Sequence, residues 1–199
     1  MATSEQADPY LKKRVTLEFA GELLEFDVAH TLFASHDIDL GTRLLLRSIE
    51  VAHPPQRVLD LGCGYGVLGI ALAHRFPEAA VVLADSDLLA VRYARANAAL
   101  NGTRNAEAVG SVALEAVSPG QFDLIVSNVP AKVGDRAIEE DFVLAPRTRL
   151  APGGAYWFVV VSGLNQLTKR IASRNEIPLR QARKRSGHTV YRLPATNAT

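Results

Sequence analysis

Cysteine is nearly missing from this chain. Among 199 residues only Cys63 occurs, so no disulfide can form within it, which fits a reducing compartment. Long apolar runs are missing too. No stretch approaches the roughly 20 residues that cross a bilayer. The first residues, MATSEQADPYLKKR, hold no apolar signal core. A cytoplasmic protein that does not enter a membrane is therefore expected. The five histidines, at 30, 36, 53, 74 and 188, show no paired spacing, so no metal site is expected. Internal repeats and low-complexity linkers are absent as well.

What is present is the composition of a globular domain. Apolar residues make up 48% and charged residues 22%, enough to bury a core and stay dissolved. The length suits one α/β domain. No feature sets an oligomeric state, and a monomer is the default. The net charge of +1 conceals an asymmetry. Lys169 to Arg192 carries eight Lys/Arg against the single Glu176, a balance of +7. The remaining 14 basic and 20 acidic residues leave −6. A basic C-terminal face on an acidic body suggests a polyanionic partner; a solvated surface strip is the plainer reading.

Residues 14–19 and 23–28 alternate apolar and polar around Ala20-Gly21-Glu22, the pattern of a β-hairpin. A loop follows, then a helix from about Thr42 to Val51, which Pro54-Pro55 forbids from continuing. From Gln56 strands and helices alternate. Strands are expected at RVLDL, AVVLA (80–84), AEAV (106–109), FDLIVS (122–127) and AYWFVVVS. Helices are expected over Val67 to Phe76, Leu88 to Leu100, Arg136 to Leu150 with a bend near Pro146, and around Leu164, Leu167 and Ile171. PLRQARK and HTVYRL close the chain as an antiparallel pair at one edge. Alternation of this kind implies a doubly wound, mostly parallel sheet of Rossmann type. The chain divides into a hairpin-and-loop extension over 1–41 and a core over 42–193, within one domain.

The most informative segment is Val58-Leu59-Asp60-Leu61-Gly62-Cys63-Gly64-Tyr65-Gly66. Glycines follow a buried strand and open a helix, so the backbone can approach a ligand closely. Such a turn could serve NAD, a flavin or S-adenosylmethionine (AdoMet). Asp60, directly before the glycines, favours AdoMet, because dinucleotide folds usually keep that point apolar. Asp85 ends the next strand, where a carboxylate can accept from a ribose diol. Cys63 reads as a small apolar filler rather than a nucleophile.

DLGCGYGVLGIALA, ADSDLLAVRYARANAALNG and FDLIVSNVP resemble the motifs of class I AdoMet-dependent methyltransferases. Within that class the chain resembles the methyltransferase small domain family, which includes ribosomal RNA guanine-N2 methyltransferases. FASHDIDLGTRLLL and SGHTVYRL extend the likeness over about residues 30–193. The resemblance implies AdoMet as cofactor. The backbone around Gly62, Cys63 and Gly64 would hold its methionine part, Asp60 would orient its ammonium group, and Asp85 would take its ribose. Ser111 and Val112 would lie by the adenine, although Ser111 stands where such enzymes often carry Asp.

The family's catalytic pattern is Asn-Pro-Pro followed by an aromatic residue. Here it reads Asn128-Val129-Pro130-Ala131. An exocyclic purine amine is a poor nucleophile because its lone pair is delocalised into the ring. Two acceptors, the Asn128 side-chain oxygen and the Val129 carbonyl, can bind its two N–H groups and aim the lone pair at the methyl group. Asn128 would thus face both cofactor and acceptor. Pro130 biases Val129 toward an extended backbone. Ala131 cannot stack on a base, so Phe33, Tyr65 or Trp157 would have to supply the plate. The expected substrate is RNA, with guanine N2 of ribosomal RNA first, bound in part by Phe33 and by phosphate contacts from Arg183, Lys184 and Arg185. A protein amide or small-molecule acceptor, or a catalytically weak AdoMet-binding module, are the alternatives.

Overall fold

The computed structural model describes residues 8–32 and 36–195. Phe33, expected at the substrate, lies outside the described residues. Among the described residues no helix is long and apolar enough to cross a membrane.

Seven strands form one sheet in the order β5-β4-β3-β6-β7-β9-β8. They are β3 (Arg57–Leu61), β4 (Ala80–Asp85), β5 (Ala106–Gly110), β6 (Phe122–Asn128), β7 (Leu150–Val161), β8 (Arg180–Arg185) and β9 (His188–Pro194). β5 through β7 run parallel, β9 is antiparallel to β7, and β8 is antiparallel to β9 at the outer edge. The doubly wound sheet and its antiparallel edge match the sequence reading. Side chains alternate between two buried faces. On β7, Ala155, Trp157 and Val159 pack to one side, and Tyr156, Phe158 and Val160 to the other. The first face is covered by α1 (Leu40–Leu46), α2 (Val67–Arg75) and α3 (Leu88–Leu100), the second by α5 (Asn165–Arg174) and the chain from 135 to 149.

Three expectations need correction. The helix placed at Thr42–Val51 is the shorter α1, with Asp39 as N-cap accepting from the Thr42 amide. The helix placed at Arg136–Leu150 is a composite. α4 (Asp135–Ala137) runs into a π-helical stretch, Ile138–Leu144, and a 3-10 stretch, Ala145–Arg149. Pro146 lacks the amide proton that a regular α-helix would use there, and a π-turn is an irregularity that periodicity cannot reveal. Third, the strand placed at AYWFVVVS begins earlier, at Leu150, and Pro152-Gly153-Gly154 bulges within it. Phe122 pairs with Leu150 while Leu124 pairs with Ala155, so residues 151–154 are extruded from the ladder.

β1 (Leu11–Phe19) and β2 (Glu22–Ala29) form a separate antiparallel hairpin, slightly longer than expected. It docks on α3 through two asparagines that extend the strand. Asn97 Oδ1 accepts from the Asp27 amide at 2.8 Å, and its Nδ2 donates to the Asp27 carbonyl at 3.0 Å. Asn101, one turn on, does the same with Glu25 at 2.9 and 2.7 Å. Asn97 is fully buried and also donates to the Tyr65 carbonyl at 2.9 Å. It thereby links the hairpin to the glycine loop. Buried polar groups stripped of a partner cost about 1–3 kcal/mol each. Asn97→Ala should therefore lower stability by about 2 kcal/mol, since solvent can reach part of the Asp27 backbone. Urea unfolding reads this directly; an unchanged midpoint would mean that the hairpin docks by apolar contact alone.

Candidate functional site

From β3 the chain winds outward through β4 and β5, then returns to β6 on the other side of β3. Such a reversal leaves a crevice at the carboxyl ends of the central strands. A cavity of about 580 Å³ opens there. Gly62, Cys63, Gly64, Asp85, Ser111, Val112, Asn128, Val129 and Pro130 all line it. Nine residues picked from sequence on four separate loops thus meet around one space.

The glycine loop is stapled to β4: Gly62 and Cys63 both donate to the Ala84 carbonyl, at 2.8 and 3.0 Å. Gly62 has φ +70° and Gly66 φ +96°, left-handed values that side chains strain. A Cβ at Gly62 would stand 3.3 Å from the Phe142 ring, so the π-helical stretch closes over the loop. Asp85 Oδ2 accepts from the Gly64 amide at 2.8 Å and Oδ1 from the Asp87 amide at 2.9 Å. Each oxygen keeps a lone pair for a further donor. The Ser111 hydroxyl is spent on its own turn, donating to the Ala113 carbonyl and accepting from the Ala116 amide. Val112, by contrast, is 57% exposed and presents an apolar surface to the cavity. The Cys63 thiol is buried, and that burial pushes its pKa up, as expected for an inert filler.

Asp60 is placed differently from the rest. It shares a face of β3 with Val58 and so points toward α2, behind the glycine loop, and it is not among the cavity-lining residues. Its Oδ2 accepts from the Gly69 amide at 2.8 Å, while Oδ1 is buried with no partner. Burial, opposed by the Gly69 hydrogen bond and helped by the charge of Asp85, pushes this carboxyl up to about 7. Asp60 ties β3 to α2 through this bond.

At the end of β6 the backbone is clamped on both sides. Ser127 Oγ donates to the Leu61 carbonyl at 2.7 Å, and the Val129 amide donates to the Val159 carbonyl at 3.0 Å. Asn128 Nδ2 donates to Asp39 Oδ2 at 2.8 Å and to Thr42 Oγ1 at 3.0 Å. Asp39, Thr42, Phe142 and His188 also line the cavity, and none was singled out from sequence. Asp39 and Thr42 sit nearly 90 positions from Asn128, and no local pattern announces so distant a contact. The segment that holds them, FASHDIDLGTRLLL, was marked only through the family likeness. His36 is exposed and lies against Lys12, 3.0 Å from its Nζ.

Of the aromatic residues proposed as a base plate, Tyr65 lines the cavity and Trp157 does not; Trp157 is buried in the core on the α1 side. Phe142 is the second aromatic at the cavity. Arg183, Lys184 and Arg185 do not line it. They belong to β8, and every residue of that strand is exposed. The turn that follows, Ser186-Gly187, brings His188 to the cavity wall opposite Val161 of β7. The basic edge therefore ends at the rim of the site.

Known proteins resemble the chain in both sequence and fold. The ribosomal RNA small subunit methyltransferase C of Hahella chejuensis is 37% identical over 64% of this chain and 37% of its own length. The protein of the same name from Pseudomonas aeruginosa is 32% identical over 91% of this chain and 54% of its own. The T. thermophilus 16S rRNA N2 G1207 methyltransferase, solved with AdoMet and guanosine, superposes with a TM-score of 0.79 at 26% identity, over 94% of this chain and 52% of that one. The chain thus spans about half or less of the length of these relatives. The model of the methyltransferase small domain matches residues 24–192, a range that runs from the hairpin through the glycine loop and Asn128 to the last strand, and the chain belongs to that family.

Proposed function

We propose that this chain binds AdoMet in the cavity and transfers its methyl group to the N2 amine of a guanine in ribosomal RNA. The observation that carries the reading is the placement of Asn128 and Val129 around one cavity with the glycine loop and Asp85. A relative solved with AdoMet and guanosine supports both halves of it. The donor and acceptor set suits AdoMet. Open backbone at Gly64, where a Cβ would meet nothing within 4 Å, leaves room for the methionine part. Asp85 has lone pairs for a ribose diol, and Val112 offers an apolar wall for the adenine.

When bound, AdoMet supplies a methyl group already activated by its sulfonium. The protein's task is then positioning. Asn128 Oδ1 and the Val129 carbonyl accept from the two N2 protons and favour a pyramidal nitrogen with its lone pair free for attack. Pro130 holds the Val129 carbonyl in place. With Ala131 offering no plate, Tyr65 and Phe142 are the aromatic surfaces that can hold the base by stacking, worth about 1–3 kcal/mol. The basic strand β8 steers the polyanion toward the rim.

The test is direct. Purified protein and labelled AdoMet are incubated separately with ribosomal subunits, naked ribosomal RNA and total protein, and the products are mapped by mass spectrometry. N2-methylguanosine in the RNA is expected; label confined to protein would overturn the substrate assignment. Cofactor binding has its own check. Asp85→Ala should weaken AdoMet by about 1–3 kcal/mol, the cost of losing hydrogen bonds to a charged acceptor. Calorimetry giving unchanged affinity would remove Asp85 from the cofactor site.

A further inference from the structure

We infer that Asp39, aided by Thr42, is a positioning residue that decides which end of the Asn128 amide faces the cavity. The inference rests on the reading that Asn128 Oδ1 accepts from the substrate amine. The two ends of a side-chain amide have nearly the same shape, so packing alone cannot choose between them. Its neighbours' hydrogen-bonding chemistry can. An ionised carboxylate only accepts. With Asp39 Oδ2 at 2.8 Å, the nitrogen end of Asn128 must face it. Turning the amide over would set two acceptor oxygens at that separation. The second N–H goes to Thr42 Oγ1 at 3.0 Å, so both protons are spent on the protein. Oδ1 is left as a pure acceptor on a residue that lines the cavity, which the transfer reaction needs and the reverse orientation would deny. A charge-assisted bond at the nitrogen also polarises the amide and makes its oxygen a stronger acceptor.

Asp39 is itself held in place. Its Oδ2, the oxygen that faces Asn128, also caps α1 by accepting from the Thr42 amide at 3.1 Å. Its other oxygen lies 3.9 Å from His188 Nε2, and the His188 ring is set by its Nδ1 against the Ser186 carbonyl at 2.9 Å. Gly41 makes this crowding possible: a Cβ there would fall 2.7 Å from Asp39 Oδ2 and 2.8 Å from His188 Cδ2. The start of α1, the end of β6 and the start of β9 thus converge on one carboxylate. A helix cap alone would require none of this, because the cap needs only the Thr42 amide.

The experiment separates capping from orientation. Ser caps helices about as well as Asp, but its shorter side chain cannot also extend to Asn128, so Asp39→Ser keeps the cap and removes the acceptor. Its thermal midpoint, AdoMet affinity and KM for RNA should match wild type, while kcat falls about tenfold to a hundredfold. Asp39→Asn can set its carbonyl oxygen where Oδ2 stood and accept from both the Thr42 amide and Asn128, so its kcat should stay within about threefold of wild type. Asn128→Asp sets two carboxylates against each other and should lose at least as much as Asp39→Ser. Equal kcat in Asp39→Ser and Asp39→Asn would overturn the proposal. A second readout does not depend on turnover. In the cofactor-free wild type the Asn128 side-chain NH2 gives two proton resonances, identified by their loss in Asn128→Asp. They should exchange slowly with solvent, and rapidly in Asp39→Ser. If wild type methylates no RNA yet shows this protection, the functional reading fails and the positioning stands. Equal exchange in wild type and Asp39→Ser sinks the positioning whatever the substrate.

Discussion

Asn128→Ala should reduce kcat by about 10²–10³ while leaving AdoMet affinity nearly unchanged, the usual cost of deleting one preorganised group that acts on the reacting atoms. The side chain acts on the acceptor amine as its nitrogen pyramidalises, so the loss belongs to the transition state and not to ground-state binding. The substitution should not disturb the fold. Ser127 and Val129 keep the end of β6 tied to Leu61 and Val159 through contacts that do not involve the Asn128 side chain. The groups left behind, Asp39 and Thr42, border the cavity, where water can satisfy them. Some activity should survive, because the Val129 carbonyl remains. Single-turnover kinetics on the methylated RNA, beside calorimetry with AdoMet, separate the two quantities. Near-normal turnover would take Asn128 out of the mechanism.

The parts of this site that the sequence announces are those whose signal is local. Glycines after RVLDL, an acid at the end of AVVLA and Asn-Val-Pro at the end of FDLIVSN each mark the carboxyl end of a strand. Parallel winding alone then gathers them at one crevice. Asp60 shows the limit of that logic. Its position in the chain suggested a ligand contact, but strand alternation turns its side chain to the α2 face. Phe142 was hidden for another reason. It sits in a π-helical stretch, where the spacing of apolar residues no longer reports which way a side chain points. Asp39 and His188 were invisible because their meaning lies in contacts across the fold. Asp39 carries no local signal of its role, which appears only when β6 and β9 are brought against it.

The basic edge is the second large effect. Changing Arg183, Lys184 and Arg185 together to Ala should weaken RNA binding by about a hundredfold at low salt, and flatten the dependence of log affinity on log salt by about 2–3 units. The three residues are exposed on an edge strand that ends at the cavity rim. Structural reasons for their charge are few. β8 pairs through its backbone with β9 on one side only, and basic side chains do discourage edge-to-edge association. That role would be served by one or two charges, whereas Lys169, Arg170 and Arg180 add more exposed basic residues nearby in the chain. Contacts to phosphate release counterions, so their signature is a salt slope common to all RNA sequences, without a change in which nucleotide is modified. AdoMet affinity should stay at the wild-type value, since none of the three touches the cavity. Filter binding across a salt series measures the effect. Equal affinity and equal slope for wild type and the triple variant would reduce β8 to a solubility device and shift the substrate search toward proteins and small molecules.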